Sequence, residues 1–421
     1  MSLLPSRPEL RDYLRHPRAD LTAGLTVALV ALPLALAFGI ASGLGAQAGI
    51  TTAVVAGILA AFIGGSRFQV SGPTGAMTVV LVPIFVSHGQ AGVLLVGLLA
   101  GALLVIAGVA RLGNHVHKLP TALIEGFTAG IALVISIQQL PTLFGYSVPA
   151  DSLLVRAYDS AVAWLHQPNW PSLLVGGATA IFLAWGGHRW PKLPLGLAAV
   201  VAGTSAVHLL GLELQTIGDL PPGLGKFDLA FLTQLPSVSG LLLPALSVAA
   251  LAALESLLSA KVADHLRNDG IEHNSDRELL GQGLANLVVP FLGGVPATAA
   301  LARTAVNVRS GAKSRLAAIL HAVVLAILVL ALGPLVSSIP LALLAGVLIA
   351  TASHMVKPAD VLKTVRASKL DALVFVVTLA ATVLTDLTTA VLVGGLLWLL
   401  LRKTWLSTRE PAIDQDETLG D

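Results

Sequence analysis

Two charged residues stand in stretches of the sequence that are otherwise without charge. Glu255 is the one charged residue in 241–260, and Arg303 is the one charged residue in the short apolar run 298–308. A carboxylate in such a stretch is costly unless it is paired, protonated or bound to a cation, so Glu255 is a candidate for carrying a coupling ion. A fixed guanidinium in a similar environment would offset the charge of a bound anion.

Purely structural roles are the alternatives for both residues. Backbone N–H groups or Arg303 could neutralise Glu255, and Arg303 could pair with Glu255 only to stabilise the fold. In that case, anion binding would depend on helix dipoles alone.

The composition predicts that these residues lie in a membrane. Of 421 residues, 55% are hydrophobic and 11% are charged, against about 25% charged in soluble domains. Mean hydropathy is +0.84. These values exclude a soluble, disordered or coiled-coil protein and predict an all-α polytopic protein of the lipid bilayer. The net charge of +2 reflects basic loops, so no nucleic acid partner is expected. With 0 cysteines and no suitable histidine spacing, no metal site is expected either.

Fourteen apolar runs are predicted as membrane-spanning segments, seven in each half. Lys and Arg concentrate in alternate loops, such as 357–369, which predicts cytoplasmic termini in a bacterial-type inner membrane. Halves with an odd number of segments run in opposite directions, which is the inverted repeat of many secondary transporters. The runs lie near 21–43, 47–65, 73–88, 91–110, 122–145, 172–187 and 194–212, and near 238–260, 279–292, 298–308, 316–335, 339–356, 370–386 and 387–401.

Two stretches interrupted by Gly and Pro, 64–80 and 293–310, occupy corresponding places in the halves. A Gly-Gly pair opens each stretch, and at one constant offset Thr74 falls on Arg303. Such pairs indicate broken helices whose N-termini direct N–H groups at an anion near the midplane of the bilayer. Short re-entrant loops with a structural purpose are the alternative.

The motifs in these stretches resemble those of the sulfate permease (SulP) family of anion transporters, to which prestin is related. The pattern 274–286 is the most specific, and the matches cover most of the chain. They comprise Asp20, Ala23, Gly24, Leu25, Thr26, Pro33, Ala37, Gly39 and Gly43, the stretch 64–74, then Gly126, Phe127, Gln139 and Leu140, and finally Asn274, Glu278, Leu279, Gly283 and Asn286.

The resemblance implies a fold of two inverted seven-segment repeats, with half-helices at segments 3 and 10. It also implies a core domain and a gate domain, and a homodimer. The family usually adds a STAS domain after the last span, and here that domain is expected to be absent. The implied divisions are a cytoplasmic arm at 1–20, a transmembrane domain at 21–403 (core about 21–110 and 238–335, gate about 122–212 and 339–401) and a cytoplasmic tail at 404–421.

The resemblance further implies which residues form the site. Glu255 and Ser259 stand where sodium-coupled bicarbonate members have an Asp and a Thr that help to hold sodium, and the longer carboxylate makes H⁺ at least as suitable as Na⁺. Bicarbonate members have a small residue at position 303, so Arg303 favours sulfate or a dicarboxylate. The implied substrate contacts are Thr74, Ala299, Ala300, Leu301 and Arg303, with Phe38, Gln47 and Pro73 as further lining residues.

The sequence therefore predicts a secondary active transporter of a small anion: a dicarboxylate, sulfate or bicarbonate. We expect symport with protons through an elevator-like movement of the core domain. A sodium-coupled bicarbonate symporter, an uncoupled anion channel and a nucleobase permease are the alternatives. An enzyme is not expected, because the sequence contains no nucleophile elbow, HExxH motif or P-loop, and we expect neither a catalytic residue nor a cofactor beyond the coupling ion.

Overall fold

The computed structural model describes residues 13, 15–113, 121–146, 152–190, 193–219, 223–225, 227–234, 238–385, 389–390, 393–398 and 400. Eight helical segments in this described part are long and apolar enough to cross a membrane, where Leu341–Ala367 is counted as one segment, and this confirms the prediction of a helical polytopic membrane protein. The helices are α1 (Pro17–Ala41), α2 (Ala46–Ile63), α3 (Gly75–Val109), α4 (Thr121–Phe144), α5 (Leu153–His166), α6 (Trp170–Arg189), α7 (Leu195–Leu209), α8 (Val238–Arg267), α9 (Ser275–Val288), α10 (Leu301–Arg309), α11 (Leu316–Ser337), α12 (Leu341–Met355), α13 (Pro358–Ala367) and α14 (Lys369–Leu384). Two short strands, β1 (Ser71–Gly72) and β2 (Thr298–Ala299), and 3₁₀ turns at Ala230–Gln234 and Val289–Leu292 complete the fold.

Most of the predicted apolar runs correspond to helices. Helix α3 covers two of them, 73–88 and 91–110, and Gly89 with φ 62° and ψ −162° forms the kink between its two parts. The run 387–401 falls partly outside the described residues, and the tail 404–421 falls entirely outside them.

Two helices, α5 and α13, lie outside the predicted runs. Each carries charge on one side, with Arg156 and Asp159 in α5 and Lys363 and Arg366 in α13. An amphipathic helix has polar residues on one face, which recur in the sequence at every turn, so its apolar residues do not form a continuous run.

The chain forms two compact units. The first comprises the described residues of Met1–Lys118 and Ile131–Met355, and the second comprises those of Leu119–Gly130 and Val356–Asp421. Within the second unit, Ala122, Leu123 and Val374 form a small buried cluster. The division into core and gate domains that the resemblance implies stays a prediction.

Glycines allow close helix packing in the first unit. A Cβ at Gly101 on α3 would lie 2.8 Å from the Leu287 nitrogen on α9, and a Cβ at Gly283 would lie 2.7 Å from the Val105 nitrogen. Because any side chain at either position would meet backbone, the two helices touch along their main chains.

The strands β1 and β2 pair in the interior of the first unit. They run antiparallel, with Ser71 opposite Ala299 and Gly72 opposite Thr298. Helix α3 begins soon after β1, and α10 begins directly beyond Ala300. The N-termini of these two helices therefore flank the strand pair, as the broken-helix hypothesis expects.

The offset that places Thr74 on Arg303 is wrong for the structure. Nine residues separate Gly65 from the start of α3, whereas six separate Gly294 from the start of α10. Thr74 is the N-cap of α3, and its counterpart is Ala300, the N-cap of α10. Arg303 lies two residues after the first residue of α10, because the second connection is shorter.

Charged side chains fix the turn between α2 and β1. Glu278 Oε2 on α9 accepts hydrogen bonds from the N–H groups of Gly65 (2.9 Å) and Ser66 (3.0 Å). Arg315 Nη1 donates to the carbonyls of Ala61 (3.2 Å) and Gly64 (2.5 Å). The Ala61 carbonyl is one of the groups that the end of α2 leaves without a helical partner, and the N–H groups of Gly65 and Ser66 lie in the turn beyond it, so distant parts of the chain determine the path into β1.

Candidate functional site

Thr74 and Glu255 are joined across two helices. Thr74 is the N-cap of α3 and is buried, and its hydroxyl Oγ1 donates to Glu255 Oε2 on α8 at 3.0 Å. A residue predicted to contact the substrate is thus bonded to the residue predicted to hold the coupling ion.

Arg303 is buried beside the same segment, with 1% of its surface exposed. Its Nη2 donates to the Pro73 carbonyl at 2.8 Å. A Cβ at Gly72 would lie 2.6 Å from Arg303 Nη1, so the guanidinium requires a glycine at this point of β1.

Glu255 and Arg303 are close neighbours and do not form an ion pair, although both lie among the described residues. Glu255 accepts a hydrogen bond from Thr74, and Arg303 donates one to Pro73, the residue that precedes Thr74. Direct pairing with Glu255 is therefore not what holds Arg303 in place.

The predicted backbone donors differ in their availability. The Ala299 N–H donates to Ser256 Oγ at 3.2 Å, and the Ala300 N–H donates to the Val70 carbonyl at 3.0 Å. Leu301 begins α10 and is exposed, and the N–H groups in the first turn of a helix have no intrahelical acceptor. The donors open to a ligand thus begin at Leu301, where the positive end of the helix dipole also lies.

The remaining predicted residues lie at different distances from this centre. Phe38 reaches the N-terminus of α3, where its Cε1 would be 3.0 Å from a Cβ at Gly75. Gln47 lies at the start of α2 and donates to the Gly223 carbonyl at 3.2 Å. Ser259, one turn after Glu255, donates to Thr304 Oγ1 at 2.9 Å.

Further polar residues support the strand pair, in a role that the sequence analysis did not predict. Ser256 Oγ lies 3.0 Å from Thr298 Oγ1, and Thr304 Oγ1 accepts the Val70 N–H at 3.1 Å. Asn286 Oδ1 accepts the Ala297 N–H at 2.7 Å. Asn286 belongs to the motif 274–286, whereas an isolated Ser or Thr gives no sequence signal because its role depends on a long-range contact.

The site combines features that suit an anion and a cation. Two helix N-termini and a buried guanidinium create positive potential, and a carboxylate lies one hydrogen bond from one of these N-termini. Among the described residues, no group of three His, Asp or Glu side chains could hold a metal ion.

The chain belongs to the sulfate permease family, whose family model matches residues 18–378. This membership confirms the resemblance stated above. The chain is 37% identical over 343 residues to YvdB of Bacillus subtilis (strain 168), which is named as a candidate sulfate transporter. It is 33% identical over 347 residues to the bicarbonate transporter BicA of Synechocystis sp. (strain ATCC 27184 / PCC 6803 / Kazusa). Each of these matches covers 80% of the chain.

A solved structure shares the fold. The transmembrane domain of a cyanobacterium bicarbonate transporter, BicA, matches with a TM-score of 0.82 and 30% identity, covering 90% of this chain and 98% of that one. The chain spans 64% of the length of YvdB and 60% of the length of the Synechocystis BicA. The relatives are named as transporters and not as enzymes, in agreement with the expectation for this chain.

Proposed function

We propose that this protein is a secondary active transporter of a small anion, with sulfate and bicarbonate as the first candidates and dicarboxylates as further ones. The observation that carries the proposal is the contact of Thr74 with Glu255 at the N-terminus of α3, beside the buried guanidinium of Arg303. The anion would lie between the N-termini of α3 and α10, near Thr74 and Leu301. The names of the relatives support the choice of substrates.

The Thr74 hydroxyl can couple the two ions. While Glu255 is charged, the hydroxyl hydrogen of Thr74 is donated to the carboxylate and is not available to an anion. A protonated Glu255 can instead donate to Thr74 Oγ1, which frees the hydroxyl hydrogen for the anion. Protonation also removes a negative charge that would repel the anion at short range. Anion binding and proton binding therefore favour each other, as linkage requires.

A proton is the proposed coupling ion, and sodium is the alternative. A sodium site would need several oxygen ligands around Glu255, with Ser259 as the expected partner. The Ser259 hydroxyl donates its hydrogen to Thr304 and lies in a fully buried position. The Ser259 oxygen keeps lone pairs that can coordinate sodium, so the choice of a proton rests on its simpler requirement: it needs no ligand beyond the carboxylate.

The proposal extends to the architecture. We propose two inverted repeats of seven segments and a core domain that moves like an elevator against a gate domain. The proposal also includes cytoplasmic termini and a homodimer. The antiparallel pairing of β1 with β2, each followed by a helix N-terminus, supports the inverted repeat.

Transport by the purified full chain in proteoliposomes tests the proposal. Uptake of radiolabelled sulfate and bicarbonate would be measured under an inward proton gradient in sodium-free buffer, beside internal pH and protein-free vesicles. We expect concentrative uptake of at least one anion together with internal acidification. Uptake that requires sodium would replace the proton by sodium, and uptake driven by voltage alone would indicate a channel. Absence of specific anion uptake with either cation and with an imposed voltage would contradict the proposal.

A further inference from the structure

Three buried basic side chains follow one face of α2. A Cβ at Gly72 would lie both 3.2 Å from Ala53 Cα and 2.6 Å from Arg303 Nη1, which places the guanidinium by Ala53. The His321 ring lies by Gly57, where a Cβ would be 3.8 Å from its Cε1.

Arg315 completes this row, because its Nη1 donates to the Ala61 carbonyl. Positions 53, 57 and 61 of α2 are spaced four residues apart, so they lie on one face about 6 Å apart along the helix axis. His321 therefore lies between two arginines, at the level of the strand pair.

Two members of this row have polar atoms that lack hydrogen-bond partners in the described part of the chain. Arg303 bonds Pro73 through Nη2, and its Nη1 is buried without a partner. His321 has 0% of its surface exposed, and neither ring nitrogen makes a hydrogen bond of normal geometry. One ring nitrogen faces the Ala318 carbonyl of its own helix. Buried polar groups in proteins nearly always have a partner, and an ordered water is a common one.

The chemistry of the two groups is complementary. A guanidinium donates only, and a neutral imidazole has one donor and one acceptor nitrogen. Because the Ala318 carbonyl is an acceptor, the ring nitrogen that faces it carries the hydrogen, and the other nitrogen accepts. A water can accept from Arg303 Nη1 and donate to that second nitrogen.

The start of α11 is held firmly, which keeps His321 in position. Asp20 on α1 accepts the N–H groups of Lys313 (2.7 Å) and Ser314 (3.0 Å), and Arg315 is bonded to the end of α2. A Cβ at Gly24 would lie 3.0 Å from the backbone nitrogen of His321, so α1 and α11 are in contact at this level. The imidazole is therefore held in one position, where it can restrain the long and flexible side chain of Arg303.

We propose that a buried water bridges Nη1 of Arg303 and the imidazole of His321, and that His321 is thereby a positioning residue for the guanidinium. Pro73 holds one end of the guanidinium and the bridge holds the other. The charge of Arg303 then stays behind β1, at a constant distance from the anion whose binding is part of the proposed function. His321 itself contacts no substrate in this arrangement.

A double-mutant cycle tests the bridge without reference to transport. The thermal unfolding midpoints of wild type, His321→Leu, Arg303→Leu and the double variant would be compared in detergent. If the two residues share a bridging water, the loss in the double variant is smaller than the sum of the single losses. Additive losses would overturn the bridge. If His321→Leu is not recovered folded, a wild-type structure that resolves buried water decides the question, and absence of a water within hydrogen-bond distance of both groups overturns the bridge.

Transport kinetics test the positioning role. We expect His321→Leu to raise the KM for sulfate about tenfold with little change in kcat, and His321→Gln to restore most of the loss because its amide can accept from the water. The control His208→Leu removes an exposed histidine of α7 and should leave the KM unchanged. An unchanged sulfate KM in His321→Leu would refute the positioning role. A wild type that transports no anion refutes the proposed function instead, and the thermal cycle still decides the bridge.

Discussion

In the proposed mechanism, the hydrogen bond between Thr74 and Glu255 links anion binding to proton binding, so small changes at either residue should separate binding from coupling. Replacing Glu255 by Gln keeps the size of the side chain and removes the charge and the proton site.

Glu255→Gln should lower proton-driven anion accumulation about tenfold or more, because the residue can no longer exchange a proton in the transport cycle. Uptake by folded variant protein would be measured in proteoliposomes with and without a proton gradient. Glu272→Gln is the matched control, since Glu272 is an exposed carboxylate in the connection before α9. Gradient-driven uptake at the wild-type level in Glu255→Gln would remove this residue from the coupling mechanism.

Thr74 allows an isosteric comparison. Thr74→Val removes the hydroxyl that bonds Glu255 and should lower the rate of coupled uptake about tenfold, whereas Thr74→Ser should keep most of it. Initial rates of anion uptake under a fixed proton gradient measure the difference. Equal rates in the Ser and Val variants would show that the backbone of this N-cap, and not its hydroxyl, is what matters.

At the scale of the elements, the turn between α2 and β1 depends on α9. Glu278→Ala should destabilise the protein by about 3 kcal/mol, because the N–H groups of Gly65 and Ser66 lose a charged acceptor. The unfolding midpoint in detergent measures the effect. Glu272→Ala, on an exposed carboxylate, should leave the midpoint unchanged, and a similar midpoint for both variants would contradict the role of Glu278.

The sequence predicts the long helices and the location of the site better than it predicts the contacts within it. Apolar runs identify α1 to α4 and α11 because each run is a local property of the chain. The amphipathic helices α5 and α13 are not identified by apolar runs. The stretches 64–80 and 293–310 do contain the strands and the helix N-termini, as their Gly and Pro content indicates.

The contacts within the site depend on register between distant segments. Gly-Gly pairs suggest that Thr74 matches Arg303, whereas Thr74 and Ala300 are the N-caps of α3 and α10 and are therefore the counterparts in the structure. Likewise, Ser256 becomes a partner of the Ala299 N–H only once α8 packs against β2. Such pairings are decided by three-dimensional packing, and residue type alone does not encode them.

For the whole molecule, orientation in the membrane is open to a direct test. The chain has 0 cysteines, so single engineered thiols report their side of the membrane without background. In intact cells an impermeant thiol reagent should label Gln167→Cys, between α5 and α6, and should label Ala367→Cys, at the end of α13, only after the membrane is permeabilised. Labelling of Ala367→Cys in intact cells would reverse the proposed topology.

The pairing of Ser71 with Ala299 sets the order in which the protein can become active during synthesis. The two residues are 228 positions apart (299 − 71), so at about 5–20 residues per second β1 leaves the ribosome roughly 10–45 s before its partner strand. During that interval the backbone groups of β1 have no strand to bind, and an unpaired backbone is costly in a bilayer. The proposed anion site is therefore completed late in translation, although Thr74 is made early, because the second half of the chain must be inserted before β2 can pair with β1.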